Sequence, residues 1–164
     1  MSSSTLELTA AVVTVSDSCT RGERADLSGP AVAALLRKSG FVMVATEVVP
    51  DEQPAIQDVL TRLAQKARLV VTTGGTGIAS RDVTPEATRA VCDRLLEGIP
   101  ERMRSEGAKQ TPLAALSRAL CGIRGSALIL NLPGSPSGAV ESLQAVIALL
   151  PHALHLLAGN TQHQ

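Results

Sequence analysis

The sequence predicts an α/β fold, a three-layer α/β/α sandwich around a mainly parallel sheet. Three observations carry the prediction. The runs AAVVTV (10–15), LVV (69–71) and ALILNL (127–132) are short and almost wholly apolar, as strands buried on both faces are. Segments with apolar residues at helical spacing separate them, which favours parallel strands joined by helical crossovers. The chain has 164 residues, 45% of them hydrophobic, enough to close one core. We therefore expect one domain over 1–164, with its core at about 10–158.

Taken in order, the first strand runs into the polar loop SDSCTRGERADLSG. Ser28, Gly29 and Pro30 then read as a helix start, with Ser28 as cap, Val32, Leu35 and Leu36 on the buried face and Gly40 as the stop. Residues 41–49 form a second strand, less continuous because Met43 and Glu47 interrupt it. Beyond the PDE turn, Ile56, Val59, Leu60 and Leu63 mark a second helix. The strand at 69–71 enters TTGGTG directly, and Thr84, Pro85 and Glu86 open another helix, with Thr84 as cap. Short helices with Pro100 and Pro112 near their starts fill 99–120. After the strand at 127–132 and the loop PGSPSG, a last helix carries Val140, Leu143, Val146, Ile147, Leu150, Leu154 and Leu157 on one stripe, with a kink expected at Pro151.

In such a fold ligands sit beyond the carboxyl ends of the strands. SDSCTRGE, VPDE, TTGGTGIASRD and NLPGSPSG all follow strands, so they gather at one edge. Gly74, Gly75 and Gly77 can bring backbone N–H groups close to a phosphate or simply make a tight turn. Neither the P-loop pattern nor the GxGxxG fingerprint is present. Asn131, Pro133, Gly134 and Ser135 form a second loop with the same two readings. Asp51 and Asp82 offer hard oxygen ligands of the kind Mg²⁺ needs beside nucleotide phosphates. Asp51 can equally cap the helix near Pro54, and Asp82 can order its own turn beside Arg81. Asp17, between Ser16 and Ser18, suits an Asx turn or a ligand contact. Arg21, Arg24, Arg81 and Arg118 are phosphate-binding candidates or solvated surface groups.

Composition narrows the partners. Fifteen basic residues balance fifteen acidic ones, so no global field draws the chain to nucleic acid or an anionic membrane. Phe41 is the sole aromatic residue, which removes the stacking platforms of single-strand binders. Cys19, Cys92 and Cys121 suggest neither a disulfide framework nor a CxxC site, and His152 with His155 are too few for a metal centre. MSSSTLELT lacks the features of a signal peptide, and no apolar run approaches a membrane span; a soluble, cytoplasmic protein is expected.

Together, in order, the loops resemble the molybdopterin adenylyltransferase family of the MogA and MoaB type, which includes the G domains of plant and animal molybdenum-cofactor proteins. The resemblance runs from about Val12 to Leu157. Its most specific stretch is TTGGTGIASRDVTPEAT, supported by VVPDE, TPLAALSRALCGIRGSALILNLPGSP and the early SDS. It implies an enzyme that transfers AMP from ATP to the phosphate of molybdopterin, releasing pyrophosphate, with Asp51 and Asp82 as the catalytic, Mg²⁺-binding acids. It further implies a nucleotide site at Gly74, Gly75, Thr76, Gly77, Asn131, Pro133, Gly134 and Ser135. Ser16, Asp17, Ser18, Thr20, Ser117 and Arg118 would lie on the pterin side. A homotrimer that hands its product to a molybdenum insertase is also implied. The charged segment 21–26 is compatible with pterin binding or with solvent. The alternatives are a MoaB-type pterin-binding or assembly protein without catalysis, and an insertase or nucleotide-pyrophosphatase-like domain of the same fold.

Overall fold

A computed structural model describes residues 5–159. The helices and strands follow in the order β1 (Thr9–Val15), α1 (Asp17–Thr20), α2 (Ser28–Lys38), β2 (Val42–Val49), α3 (Gln53–Leu63), β3 (Leu69–Thr73), α4 (Thr84–Val91), β4 (Arg94–Leu95), α5 (Gly98–Gly107), β5 (Cys121–Arg124), β6 (Ala127–Leu132), α6 (Pro136–Val146) and α7 (Leu150–Leu157). Short 3-10 turns at Pro112–Leu116 and Ile147–Leu149 complete them. The sheet order is β2-β1-β3-β6-β5-β4, parallel from β2 to β6 and antiparallel beyond.

Alternation along the buried strands divides the core between two faces. Ala10, Val12, Leu69, Val71, Leu128 and Leu130 pack with α2, α5, α6 and α7, while Ala11, Val13, Val70 and Ile129 pack with α3 and Ala87 of α4. The expected three layers follow. β2, at the sheet edge, exposes Val42, Val44 and Val48, and its interrupting Glu47, in the alternate half-buried row, pairs with Arg62 of α3.

Several local expectations change. Ser28 does not cap α2: its hydroxyl bonds Thr73 Oγ1 at 2.6 Å, and Asp26 Oδ1 accepts from Gly29 N instead. Thr84 donates to Gly74 O at 2.9 Å rather than capping α4. The last helix breaks at Ile147–Leu149, ahead of Pro151, which sits in the first turn of α7. β4 and β5 are additional strands, so the sheet is mixed at one edge. The expectation about apolar runs also needs correcting. Pro136–Leu157 is 22 residues with a window of mean hydropathy 1.4, long and apolar enough by composition to span a membrane. Ala139, Leu143, Val146, Leu150 and Leu154 are fully buried, so one face of α6 and α7 belongs to the core, while 22% of the apolar window is buried.

Candidate active site

Parallel register aligns the strand ends. Val15 pairs with Val49, Thr14 with Thr73, and Thr73 with Leu132. Ser16, Asp51, Gly74 and Pro133, each one or two residues beyond those pairs, therefore emerge along one edge. Gly74 has φ +97° and Gly75 φ +68°, a region that favours glycine. Side chains there would also collide: a Cβ on Gly74 with the Val15 carbonyl oxygen, and one on Gly75 with Thr84 Oγ1. A Cβ on Gly134 would lie 3.3 Å from Gly74 Cα, so the two glycine loops are in direct contact.

Beside them opens a cleft of about 780 Å³, within the range of small-molecule sites. Residues 75–77, Asp82 and residues 133–135 line it together with Met103 and Arg104 of α5, Leu113 of the 3-10 turn and Ser117. The two candidate acids flank the glycine loop. Ideal Cβ positions on Gly75 and Gly77 would lie 3.3 Å from Asp51 Oδ1 and 2.8 Å from Asp82 Oδ2. Asp82 lines the cleft, and its Oδ2 accepts from Ala79 N at 3.0 Å, so it orders its turn with one oxygen while Oδ1 accepts nothing among the described residues.

Asp51 is not the cap of α3, where Glu52 occupies that position. Its Oδ2 accepts from Asp17 N at 2.9 Å, and its own N–H donates to Asp17 Oδ1 at 2.9 Å. This reciprocal pair ties the loop after β1 to the loop after β2. Arg81 adds the loop after β3, with Nε and Nη2 on Asp17 Oδ2 at 2.8 and 2.7 Å. The Asp51 N–H and then Arg81 hold the Asp17 carboxyl below its usual range. Burial pushes Asp51 up, against the bond from Asp17 N, and the neighbouring charges of Asp17 and Asp82 push the same way as burial. Two acids that repel across a glycine loop, each with an oxygen left over, suit a hard divalent cation.

The sequence profile described as the probable molybdopterin binding domain matches residues 11–152. The chain belongs to this family. The molybdopterin adenylyltransferase of Helicobacter pylori strain J99 is 42% identical over 155 residues, aligning 91% of this chain with 87% of that protein. The molybdenum cofactor synthesis protein cinnamon of Drosophila melanogaster is 44% identical over 93% of this chain, which spans only 26% of cinnamon's length. Among solved structures, the molybdopterin biosynthesis enzyme MoaB from Thermus thermophilus superposes with TM-score 0.88 and 51% identity, covering 93% of this chain and 97% of that one.

Within this molybdopterin-binding domain, the cleft gathers Gly75, Thr76, Gly77, Pro133, Gly134 and Ser135 from the expected nucleotide set, and Ser117 from the pterin set. Gly74 lies just behind. Asn131 does not reach the cleft: it is fully buried, donating Nδ2 to the Thr72 and Thr88 hydroxyls and accepting at Oδ1 from Leu120 N. Its expected pocket contact becomes a scaffold role. Ser135 Oγ caps α6 by accepting from Gly138 N at 3.1 Å. Ser16, Asp17, Ser18 and Thr20 stand outside the cleft, on the Asp51 side; Ser16 caps α1 and Thr20 Oγ1 donates to Ser16 O. Arg118 is bonded to the glycine loop and to Glu86. Its Nε donates to Gly77 O and Nη2 to Asp82 O, both at 2.7 Å, while Nη1 meets both Glu86 oxygens at 2.9 Å. Arg104 is not a candidate from sequence, since it lies in MRSEG, a stretch without a motif; only its position on α5 brings it to the cleft.

Proposed function

We propose that this protein is a molybdopterin adenylyltransferase, moving AMP from ATP to the molybdopterin phosphate with release of pyrophosphate. The observation that carries the reading is the convergence of residues 75–77, residues 133–135 and Asp82 on one cleft, with Asp51 against Gly75. The activity named for full-length relatives supports it. In this chemistry a phosphate oxygen of molybdopterin attacks the α-phosphorus of ATP and the bond to the pyrophosphate oxygen breaks. Charge grows on the phosphoryl oxygens and the leaving group. Backbone N–H groups of 75–77, free of side-chain bulk at both glycines, would meet that charge. Residues 133–135 and the α5 side would hold the nucleotide against them. Asp51 and Asp82 would hold Mg²⁺, which when bound neutralises phosphate charge. Arg118 would keep Asp82 and Gly77 in place.

No protein nucleophile is required. Burial pushes the Cys92 thiol to about 11 and the Cys121 thiol to about 12, so neither is a thiolate near neutral pH. The reading makes the protein a cytoplasmic homotrimer that passes adenylylated molybdopterin to a molybdenum insertase. Incubation with molybdopterin, ATP and Mg²⁺ should yield pyrophosphate and adenylylated molybdopterin in equal amounts. Tight molybdopterin binding with no pyrophosphate release would instead identify a non-catalytic binding or assembly protein.

A further inference from the structure

Arg81 and Arg118, beside the strand-end loops, are committed to the protein itself. Arg81 is bonded to Asp17, and Arg118 to Gly77, Asp82 and Glu86. Arg104 differs. Its Nη1 donates to Ala119 O at 3.1 Å and Ser117 O at 3.4 Å, anchoring the guanidinium against the segment that leads from the 3-10 turn into β5. Its Nε and Nη2 bond to nothing else among the described residues, and the side chain lines the cleft. Asp82, Glu106 and Glu141 line the same cleft, and Arg104 is its one basic lining residue among those described. Glu106 has its own cation, Lys109.

The geometry points to Arg104 as a phosphate-binding residue of this cleft, presenting its Nε–Nη2 edge to a phosphate group of the substrate; this rests on the proposed adenylyltransferase reading. That edge carries two nearly parallel N–H donors, the arrangement that meets two oxygens of one phosphate. The anchored Nη1 holds the plane in advance, so little side-chain freedom remains to be lost when a ligand arrives. A polyanion entering beside three carboxylates needs a fixed positive group on the wall, and Arg104 supplies it. Both ATP and molybdopterin carry phosphate, so the shared chemistry is a phosphate ester or anhydride.

The test compares wild type, Arg104→Gln and Arg104→Lys by calorimetry with inorganic tripolyphosphate, Mg-ATP, molybdopterin and adenosine, beside their melting temperatures. Arg104→Gln should weaken tripolyphosphate binding about 10- to 100-fold while adenosine affinity stays within about twofold. Arg104→Lys, which keeps the charge and loses the fork, should fall between. An equal loss for Mg-ATP with molybdopterin unchanged assigns the contact to the nucleotide, and the converse assigns it to the pterin phosphate. Unchanged tripolyphosphate affinity in Arg104→Gln overturns the assignment. So does an equal loss of adenosine binding, or a wild type that binds none of the phosphate probes. Failure of AMP transfer with phosphate binding still dependent on Arg104 would overturn only the enzymatic reading.

Discussion

The two sides of the glycine loop are built differently. On one side, Asp17 and Asp51 exchange hydrogen bonds through each other's backbone, and Arg81 closes the group, so three strand-end loops are tied together. On the other, Asp82 and Arg104 face an open cleft with an acceptor oxygen and a donor edge unpartnered among the described residues. In the proposed reading the closed side sets shape and the open side receives ligand. Asp51 belongs to the first by its hydrogen bonds and touches the second through Gly75.

The largest expected effect lies on the open side. Asp82→Asn keeps size and the bond from Ala79 N but removes charge, and AMP transfer should fall by two to four orders of magnitude, roughly 3–5 kcal/mol of transition-state stabilisation. Melting temperature and molybdopterin affinity should hold. Near-normal turnover in a stable variant would remove Asp82 from catalysis. Between the two sides, Gly74→Ala should cost about 2 kcal/mol or more in urea unfolding, because a Cβ meets the Val15 carbonyl at positive φ. A neutral outcome would show that the Gly74 turn is not held rigidly against the end of β1.

Beneath the cleft, Asn131→Ala leaves Leu120 N and the Thr72 and Thr88 hydroxyls without their partner. We expect a loss of about 2–3 kcal/mol, seen as a melting temperature lower by roughly 5–10 °C. Intact stability would return Asn131 to the candidate ligand contacts. The smallest effect belongs to the closed side's surface. Arg81→Gln breaks an ion pair in which the Arg81 side chain is 60% exposed, so stability should change by about 1 kcal/mol or less. A larger loss would mean that Arg81 holds the three loops together more firmly than Asp17 and Asp51 do.

Much of this organisation is legible in the residues. The runs at 10–15, 69–71 and 127–132 are strands buried on both faces, and their loops meet at one edge because parallel strands share a direction. The helix-start signals at Ser28 and Thr84 are ambiguous because a hydroxyl near a helix start can serve a tertiary partner, and here each does. β4 and β5 are silent in the sequence because two and four residues with Gly122 and charged Arg94 and Arg124 carry no strand pattern. Asn131 and Arg118 sit in loop and motif context that suggests ligands, yet their hydrogen bonds run into the protein. No periodicity reports which way a guanidinium turns, which is also why Arg104 has no signal in the sequence.

The most direct measurement is a crystal structure of the protein with ATP or AMP and Mg²⁺. The nucleotide phosphates should lie against the backbone of residues 75–77, between the 133–135 loop and the α5 side, with the metal in reach of Asp51 and Asp82. A nucleotide bound elsewhere, or phosphates turned away from both acids and the glycine loop, would contradict this account.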